Sequence, residues 1–525
     1  MTGPGSFEIR DVDLGGRIGR LYTRRGFIET PAFFPVIDVE RQEVPVKGVR
    51  EAGFTQVITN AYLILKRYGW VAAERGVHEV LGFDGVVMTD SGAYQILEYG
   101  RIDVDQETII KFQQAIGSDI AVILDVPTGD VDRAKAEESV TITLRRAREA
   151  IGLIRDDRER VWVLPVQGGR YYDLVEISAS EASKLSDYYS MFGVGSPTVF
   201  LERYMYDVVV EAVYRARKHL PPGRPVHLFG AGHPLIIPFV VALGVDTFDS
   251  ASYILYARDG RYITEWGVYR LEDLDYFPCS CPVCSRYTPQ DLREMGKVEA
   301  TRLLALHNLY VISRTIRRVK QAIREGRLWE VLEETGRMHP STARLLRLMV
   351  RYRRLMELGA RRGGGRIKGV RAYSIESLDN PKLYTFREKS LKVLLESLKM
   401  LMPRELVVKP MTVKKEPSEC EKEIVGSRGD VTAALYSPYT GIFPIELCGV
   451  YPSIQIDYPS NREPREVVDR LVEEIVELAK HASRLGVKVR LEACKKAEWS
   501  VAATLKAYST LALEDGVEVE VEFKC

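Results

Sequence analysis

The chain has 525 residues, of which 46% are hydrophobic and 28% are charged, and its formal net charge is +1. This composition excludes a mostly disordered chain, and at roughly 100–200 residues per domain the length predicts two to four domains. The longest near-apolar run, residues 234–245, is shorter than the about 20 residues needed to cross a bilayer. The N-terminus lacks the pattern of a signal peptide. We therefore expect a cytoplasmic protein without a membrane segment.

Short β-branched, apolar runs, each ending near a polar or glycine residue, recur between residues 50 and 250 with helix-like segments between them. These runs are 55–59, 85–88, 120–124, 161–166, 189–192, 225–229 and 245–248. Buried strands that alternate with helices are typical of a parallel sheet. Seven or eight such units favour a closed (β/α)8 barrel over an open doubly wound sheet. Neither GxGxxG nor GxxxxGK[ST] follows the first run, which argues against a dinucleotide or P-loop site.

Polar side chains stand at the ends of five of these runs. They are Asn60, Asp90, Asp125, Gln167 and Asp249. In a barrel, the carboxyl ends of the strands converge on one face, and active sites lie there. A single Asp or Asn at such a position is as often a helix N-cap. Five equivalent positions favour an active site on that face.

Three cysteines form a C-x-C-x-x-C sequence at Cys279, Cys281 and Cys284, and His307 follows on a predicted helix. Three thiolates and one imidazole make a tetrahedral set that suits Zn²⁺, and ligation by protein alone is typical of structural sites. The alternatives are coincidental or redox-active cysteines, and a His307 that only packs in a core. We predict one structural zinc ion per chain. We expect neither a metal nor a disulfide bridge at the four other cysteines, Cys420, Cys448, Cys494 and Cys525.

A strongly basic segment covers residues 313–371, which hold 17 lysines and arginines against five glutamates, a net charge of +12. Its basic residues at helical spacing are Arg314, Arg317, Arg318, Lys320 and Arg324, then Arg344, Arg347, Arg351, Arg353 and Arg354. Such an excess favours a polyanion, bound through its phosphates with release of counterions. The alternative is a solvated helix face with many ion pairs.

The sequence RRGGG at 361–365 is typical of a flexible linker. We predict a catalytic domain over 1–360 with a zinc-binding subdomain at 275–360, a linker over 361–389, and a smaller C-terminal α/β domain over 390–525. In that last domain, predicted helices cover 390–403, 467–485 and 495–508, and predicted strands cover 429–436, 443–447, 487–491 and 517–523. It holds no catalytic constellation, so binding, dimerisation and spacer roles are all open.

Several motifs resemble the tRNA-guanine transglycosylases. They are TDSGAYQ at 89–95, LDVPT at 124–128, VQGG at 166–169, HLFGAGHP at 227–234 and GVDTFDSASY at 244–253. PVHLFGAGHP and the sequence around the cysteines are similar to the archaeal, archaeosine-forming branch. The resemblance, which covers residues 5–360, implies a (β/α)8 barrel with an inserted zinc subdomain. It also implies exchange of guanine at position 15 of tRNA for 7-cyano-7-deazaguanine (preQ0).

The resemblance also implies the roles of individual residues. Asp249 matches the nucleophile that forms a covalent ribosyl–aspartate, and Asp90 matches the second carboxylate, which handles the proton on the base. Some descriptions of the family make this second carboxylate the nucleophile. The base-binding positions are matched by Asp125, Tyr94, Gln167, Gly195 and Ser196, and the zinc ligands by Cys279, Cys281, Cys284 and His307. Ser196 stands where the family has a second glycine, so its Cβ restricts close approach.

The family also implies a homodimer. The PUA-type domain of the long archaeal enzymes has no clear counterpart in this sequence, which leaves room for a separate RNA-binding partner chain. A catalytically silent tRNA-binding paralogue or accessory subunit is the alternative function, and retention of both Asp90 and Asp249 argues against it. A barrel hydrolase with a catalytic metal is a third reading, but only His233 follows a predicted barrel strand.

Overall fold

The structure is a computed structural model that describes residues 3–93, 104–195, 197–360, 366–412, 420, 430–459, 461–514 and 516–524. The chain divides into two compact units. One comprises Met1–Arg324 and Glu334–Gly359, and the other comprises Glu325–Glu333 and Ala360–Cys525. Among the described helices, none is both long and apolar enough to cross a membrane.

The first unit begins with an antiparallel sheet of β1 (Phe7–Asp13), β2 (Gly16–Thr23) and β3 (Gly26–Glu29). Eight parallel strands follow: β4 (Ala32–Pro35), β5 (Gln56–Asn60), β6 (Val86–Asp90), β7 (Ile120–Val122), β8 (Val161–Val166), β9 (Met191–Val194), β10 (Val226–Leu228) and β11 (Thr247–Ser250). They pair in the order β4-β11-β10-β9-β8-β7-β6-β5. A bridge between Val36 and Ile58 joins the two ends of this sheet. The predicted (β/α)8 class is thereby confirmed.

The N-terminal sheet covers one end of the barrel and leaves the other end for a site. A buried cluster joins Leu21 of β2 and Ile28 of β3 to the first residues of several barrel strands, such as Val86 and Val161. The N-terminal sheet therefore covers the amino end of the barrel. The carboxyl ends of the strands, where the predicted polar residues stand, form the opposite face.

Helices connect the barrel strands. They are Val46–Glu51, Ala61–Tyr68, Ala72–Arg75, Val77–Leu81, Gln106–Ala115, Arg133–Ile154, Tyr172–Ser183, Thr198–Glu202, Tyr206–Arg217, Ile237–Ala242 and Ser252–Arg258, with a 3-10 turn at Gly69–Val71. Side-chain oxygens of Asn60, Asp105 and Asp132 cap three of them. Asn60 is therefore a helix N-cap, the alternative that a single polar strand end allows.

A hairpin of β12 (Arg261–Ile263) and β13 (Val268–Arg270) follows the barrel. The helices after it are Pro289–Glu294, Lys297–Glu325, Leu328–Gly336, Pro340–Met349 and Arg353–Glu357, with 3-10 turns at Leu271–Asp273 and Val350–Tyr352. A capping box at Thr288 starts the first of these helices. The 29-residue helix Lys297–Glu325 carries His307 back toward the cysteine loop.

The second unit contains a mixed sheet in the order β17-β16-β15-β19-β20 and a small parallel pair, β14 with β18. Its strands are β14 (Val370–Arg371), β15 (Glu405–Pro410), β16 (Val431–Ser437), β17 (Gly441–Pro444), β18 (Ile456–Asp457), β19 (Lys488–Cys494) and β20 (Val519–Lys524). Its helices are Pro381–Leu401, Arg465–Arg484 and Glu498–Leu511, with 3-10 turns at Ile375–Asp379 and Ile445–Leu447. The apolar face of Arg465–Arg484, with Leu471, Ile475 and Leu478, is buried in this unit's core.

Two features of this unit differ from the sequence-based picture. Residues 366–389 fall in the predicted linker, yet they include β14 and the start of helix Pro381–Leu401, and Leu383 is fully buried. The expectation that Cys420 and Cys448 form no bridge is wrong, because a disulfide joins them. Their Cα atoms are 5.6 Å apart, a separation that the local sequence does not reveal. Cys525 lies outside the described residues.

Candidate active site and metal centre

Three aspartates stand at the carboxyl end of the barrel. Asp90 is the last residue of β6, Asp125 follows β7, and Asp249 lies on β11. Burial, together with repulsion from the carboxylates of Asp125 and Asp249, raises the pKa of Asp90 to about 7. The Ser91 N–H donates to Asp90 Oδ1 at 2.8 Å and opposes this rise. The structure therefore brings the three predicted carboxylates together and leaves a proton on Asp90 near neutral pH.

Asp249 is held by two donors. His227 Nε2 and the Gly230 N–H lie 2.9 and 3.1 Å from Asp249 Oδ1. The other ring nitrogen, His227 Nδ1, is 2.9 Å from the Thr247 hydroxyl. With Asp249 ionised, Nε2–H donates to the carboxylate and Nδ1 accepts from Thr247. Both donors use Oδ1, so neither of these bonds occupies Oδ2.

Asp125 is hydrogen-bonded to Gln167. The Gln167 Nε2 donates to Asp125 Oδ2 at 2.5 Å, while its Oε1 accepts from the Thr128 N–H at 3.1 Å. These bonds fix which way the amide faces. Burial raises the pKa of Asp125 to about 6, and the bond from Gln167 opposes the rise. A Cβ on Gly195 would lie 2.3 Å from Gln167 Nε2, so any other residue here would displace the Gln167 amide.

The structure brings together four of the predicted site residues outside the metal cluster, Asp90, Asp125, Gln167 and Asp249, with Gly195 against Gln167. Tyr94 and Ser196 lie outside the residues that the structure describes. His227 was missed by the sequence reasoning. Its only signal is a single polar residue inside an otherwise apolar run, PVHLF.

The four predicted metal ligands converge. The ligand atoms of Cys279, Cys281, Cys284 and His307 lie within 4.8 Å of one another. His307 Nδ1 is 3.5 Å from the sulfur of Cys281 and 3.2 Å from that of Cys284. Three sulfurs and one imidazole nitrogen at this spacing form a group that fits one tetrahedral metal ion.

The surroundings of His307 fix the nitrogen that it offers. Its Nε2 lies 2.9 Å from the Ile263 carbonyl oxygen, so Nε2–H donates and the lone pair of Nδ1 faces the sulfurs. The Tyr262 ring stacks on the imidazole, with centroids 3.7 Å apart. Asn308, the next residue, accepts from the Ile263 N–H at 2.9 Å. The long helix and the β12–β13 hairpin thus hold the histidine in ligand orientation.

A closed parallel barrel that gathers carboxylates at the carboxyl ends of its strands is the architecture of an enzyme. Comparison with known proteins identifies the enzyme family. The pattern of the queuine tRNA-ribosyltransferase (TGT) family matches residues 12–341. The chain belongs to this family, the tRNA-guanine transglycosylases, which are transferases.

Archaeal relatives match most of the chain. The tRNA-guanine(15) transglycosylase of Aeropyrum pernix is 62% identical over 514 residues, which cover 98% of this chain and 99% of the relative. Proteins of the same name from Sulfolobus acidocaldarius and Saccharolobus solfataricus are 44% and 42% identical. Those alignments cover 89% and 93% of this chain, and 91% and 97% of the relatives. The family resemblance drawn from the motifs is confirmed.

Proposed function

We propose that this chain replaces guanine at position 15 of tRNA with 7-cyano-7-deazaguanine, through a covalent ribosyl–aspartate intermediate, in archaeosine biosynthesis. The position comes from the names of the relatives. The observation that carries the mechanism is the convergence of Asp90, Asp125 and Asp249, with the pKa of Asp90 near 7. One carboxyl group that keeps a proton beside a carboxylate fixed by two donors suits acid and nucleophile roles.

Asp249 acts as the nucleophile. Its Oδ2 attacks C1′ of the ribose, the C1′–N9 bond breaks, and the bonding electrons leave with guanine. His227 and Gly230 hold Oδ1, which orients the carboxylate and supports its negative charge before attack. The logic parallels retaining glycosidases, in which one carboxylate forms the covalent intermediate and a second handles the proton.

Asp90 handles that proton. Protonated Asp90 gives its proton to the departing guanine. In the second half, the Asp90 carboxylate takes the N9–H proton of the incoming base, N9 attacks C1′, and the ester to Asp249 breaks. One base has been exchanged, and both aspartates have returned to their first protonation states. No nucleotide triphosphate is consumed.

Asp125 and Gln167 bind the edge that the two bases share. Guanine and 7-cyano-7-deazaguanine both carry an N1–H and a 2-amino group, and an ionised Asp125 accepts from such donors. Gly195 provides the close backbone approach, and Tyr94 is the proposed stacking partner. Because the bases differ at position 7, the shared edge explains why one pocket accepts both.

The Cys3His group is the proposed site of one structural Zn²⁺. All four ligands come from the protein, so the ion would hold the cysteine loop to the long helix and would not touch the base. The homodimer and the separate RNA-binding partner chain stay predictions. Light scattering of the chain, alone and with tRNA, tests the dimer.

Base exchange tests the proposal. tRNA carrying labelled guanine at position 15 is mixed with unlabelled 7-cyano-7-deazaguanine, and release of the label is followed. Asp249→Asn should lower release at least about a thousandfold and abolish the tRNA–protein adduct on a denaturing gel. Asp259→Asn, at an exposed surface position, is the matched control. An adduct with Asp249→Asn but none with Asp90→Asn would exchange the two roles.

The pH profile is a second test. Asp125 must be ionised, with a pKa of about 6, and Asp90 must hold a proton, with a pKa of about 7. The kcat/KM for exchange should therefore peak between these values and fall on both sides. Tight tRNA binding with no exchange at any pH would favour the catalytically silent RNA-binding alternative.

A further inference from the structure

The basic segment divides into paired and unpaired charges. Several of its described cations lie within ion-pair distance of carboxylates, among them Arg314 with Glu265, Arg318 with Glu334, Lys320 with Glu29, Arg324 with Asp11, and Arg344 with Asp207. These cations fit the alternative of a helix face with many ion pairs. Arg347, Arg351 and Arg354 differ, since all three are exposed and no carboxylate among the described residues is within ion-pair distance.

These three arginines form one stripe. Arg347 lies on helix Pro340–Met349, Arg351 on the 3-10 turn Val350–Tyr352 and Arg354 on helix Arg353–Glu357. These elements follow one another without a break, so the three arginines stand along one helical stretch at the four- and three-residue spacing that favours neighbours. At about 1.5 Å per residue, the stripe from Arg347 to Arg354 spans about 10 Å. One strand of a nucleic-acid duplex places a phosphate every ~3.4 Å along the axis. The stripe therefore faces about three phosphates, and guanidinium groups suit them.

An aromatic platform stands at the start of this stripe. His339 caps the helix Pro340–Met349, and its ring stacks on Tyr204 with centroids 5.4 Å apart. Tyr204 is 39% exposed, and its backbone φ of +56° is a conformation that bulky residues rarely adopt. The stack with His339 therefore holds a partly exposed aromatic ring beside the arginines.

The platform lies beside the mouth of the barrel. Tyr204 precedes helix Tyr206–Arg217, which starts on the side where β9 ends. Its ring also contacts His233, with centroids 6.3 Å apart. His233 follows β10 three residues after Gly230, whose N–H binds Asp249. A strand that enters the mouth therefore passes the platform.

We infer that Tyr204 stacks on a tRNA base close to the exchanged nucleotide, and that Arg347, Arg351 and Arg354 bind the phosphates of the strand leading to it. The inference rests on the proposed function, because it takes tRNA as the occupant. The charge of the stripe selects a polyanion, and an exposed ring suits an unpaired base. Flipping one base out of folded RNA leaves its neighbours unstacked, and an aromatic ring compensates for that loss.

Salt-dependent binding tests the stripe. The full chain is titrated with fluorescent tRNA at 50 to 400 mM KCl, and log Kd is plotted against log salt concentration. Replacing Arg347, Arg351 and Arg354 together with Gln should lower the slope by about 2 to 3, since each phosphate contact contributes ~0.7–0.9. The control replaces Arg145, Arg148 and Arg155, which are exposed on helix Arg133–Ile154 or directly after it in the same unit, and removes the same charge.

Tyr204 is tested separately. Tyr204→Ala should weaken tRNA binding at least about fivefold, while Tyr204→Phe, which keeps the ring, should not. Equal losses in the stripe and control triples, or no loss in either, would overturn the inference. So would a stripe variant that changes only from dimer to monomer in light scattering. Wild-type chain that binds tRNA with the full salt slope but exchanges no base would refute the proposed function and leave this surface standing.

Discussion

Asp90→Asn should make the folded protein more stable at pH 8 while it abolishes base exchange. The folded pKa of Asp90 is about 7, against an ordinary value of 3.8. At a pH between these two pKa values, Asp90 has released its proton in the unfolded chain but still holds it in the folded chain. The free energy of unfolding therefore falls as the pH rises through this range. At about 1.36 kcal/mol per pKa unit, the loss reaches about 4 kcal/mol by pH 7 and stays constant above it. Asparagine carries no charge and escapes this loss.

Guanidinium unfolding of both proteins, from pH 4 to pH 9, measures the difference. The two should have nearly equal free energies of unfolding at pH 4, since Asn still accepts from the Ser91 N–H, and should diverge up to pH 7. Asp259→Asn, at the surface, should show no comparable divergence. Parallel stability curves for wild type and Asp90→Asn across the whole range would refute the claim that burial and neighbouring carboxylates keep a proton on Asp90.

The remaining predictions concern the base pocket and the metal group. Gly195→Ala should lower kcat/KM for exchange about 10- to 100-fold, because its Cβ would lie 2.3 Å from Gln167 Nε2 and displace an amide that binds Asp125. The control is Gly223→Ala, whose Cβ would meet nothing within 4 Å. Equal kcat/KM values for the two variants would contradict the proposed base pocket. Elemental analysis should find one zinc ion per chain. The ion should be lost in Cys279→Ser and kept in the control Cys494→Ser, because Cys494 lies outside the cluster. Metal retained by Cys279→Ser would contradict the assigned ligands.

Seven of the eight barrel strands could be predicted because strands buried on both faces appear as continuous apolar runs. The eighth, β4, has four residues, follows Pro31 and ends at Pro35, so its sequence predicts no strand. Its parallel pairing with β11 defines it, and Phe34 lies opposite Asp249 in that register. In the second unit, β15 was missed for a similar reason. Its short ELVVKP sequence becomes the central strand only through pairing with β16 and β19.

The candidate site shows the same division between local and distant information. The cysteine spacing is local, and it predicted the metal group directly. The aspartates could be placed because each follows a predicted strand. The role of His227 depends on β10 lying beside β11, and the disulfide between Cys420 and Cys448 depends on two positions 28 residues apart in sequence. Neither pairing is visible before the chain is folded.

The proposed division of roles between the aspartates follows from their surroundings. Asp249 receives its donors from a neighbouring strand and from the loop after it, at His227 and Gly230. Among the described residues, Asp90 accepts from the backbone N–H groups of Ser91 and Gly92, and it faces two other carboxylates. Burial and the two neighbouring carboxylates raise the pKa of Asp90 to about 7, so Asp90 keeps a proton to higher pH than an ordinary aspartate does. The proposed roles of acid and nucleophile therefore rest on the different partners of the two residues, which are the same amino acid at equivalent strand ends.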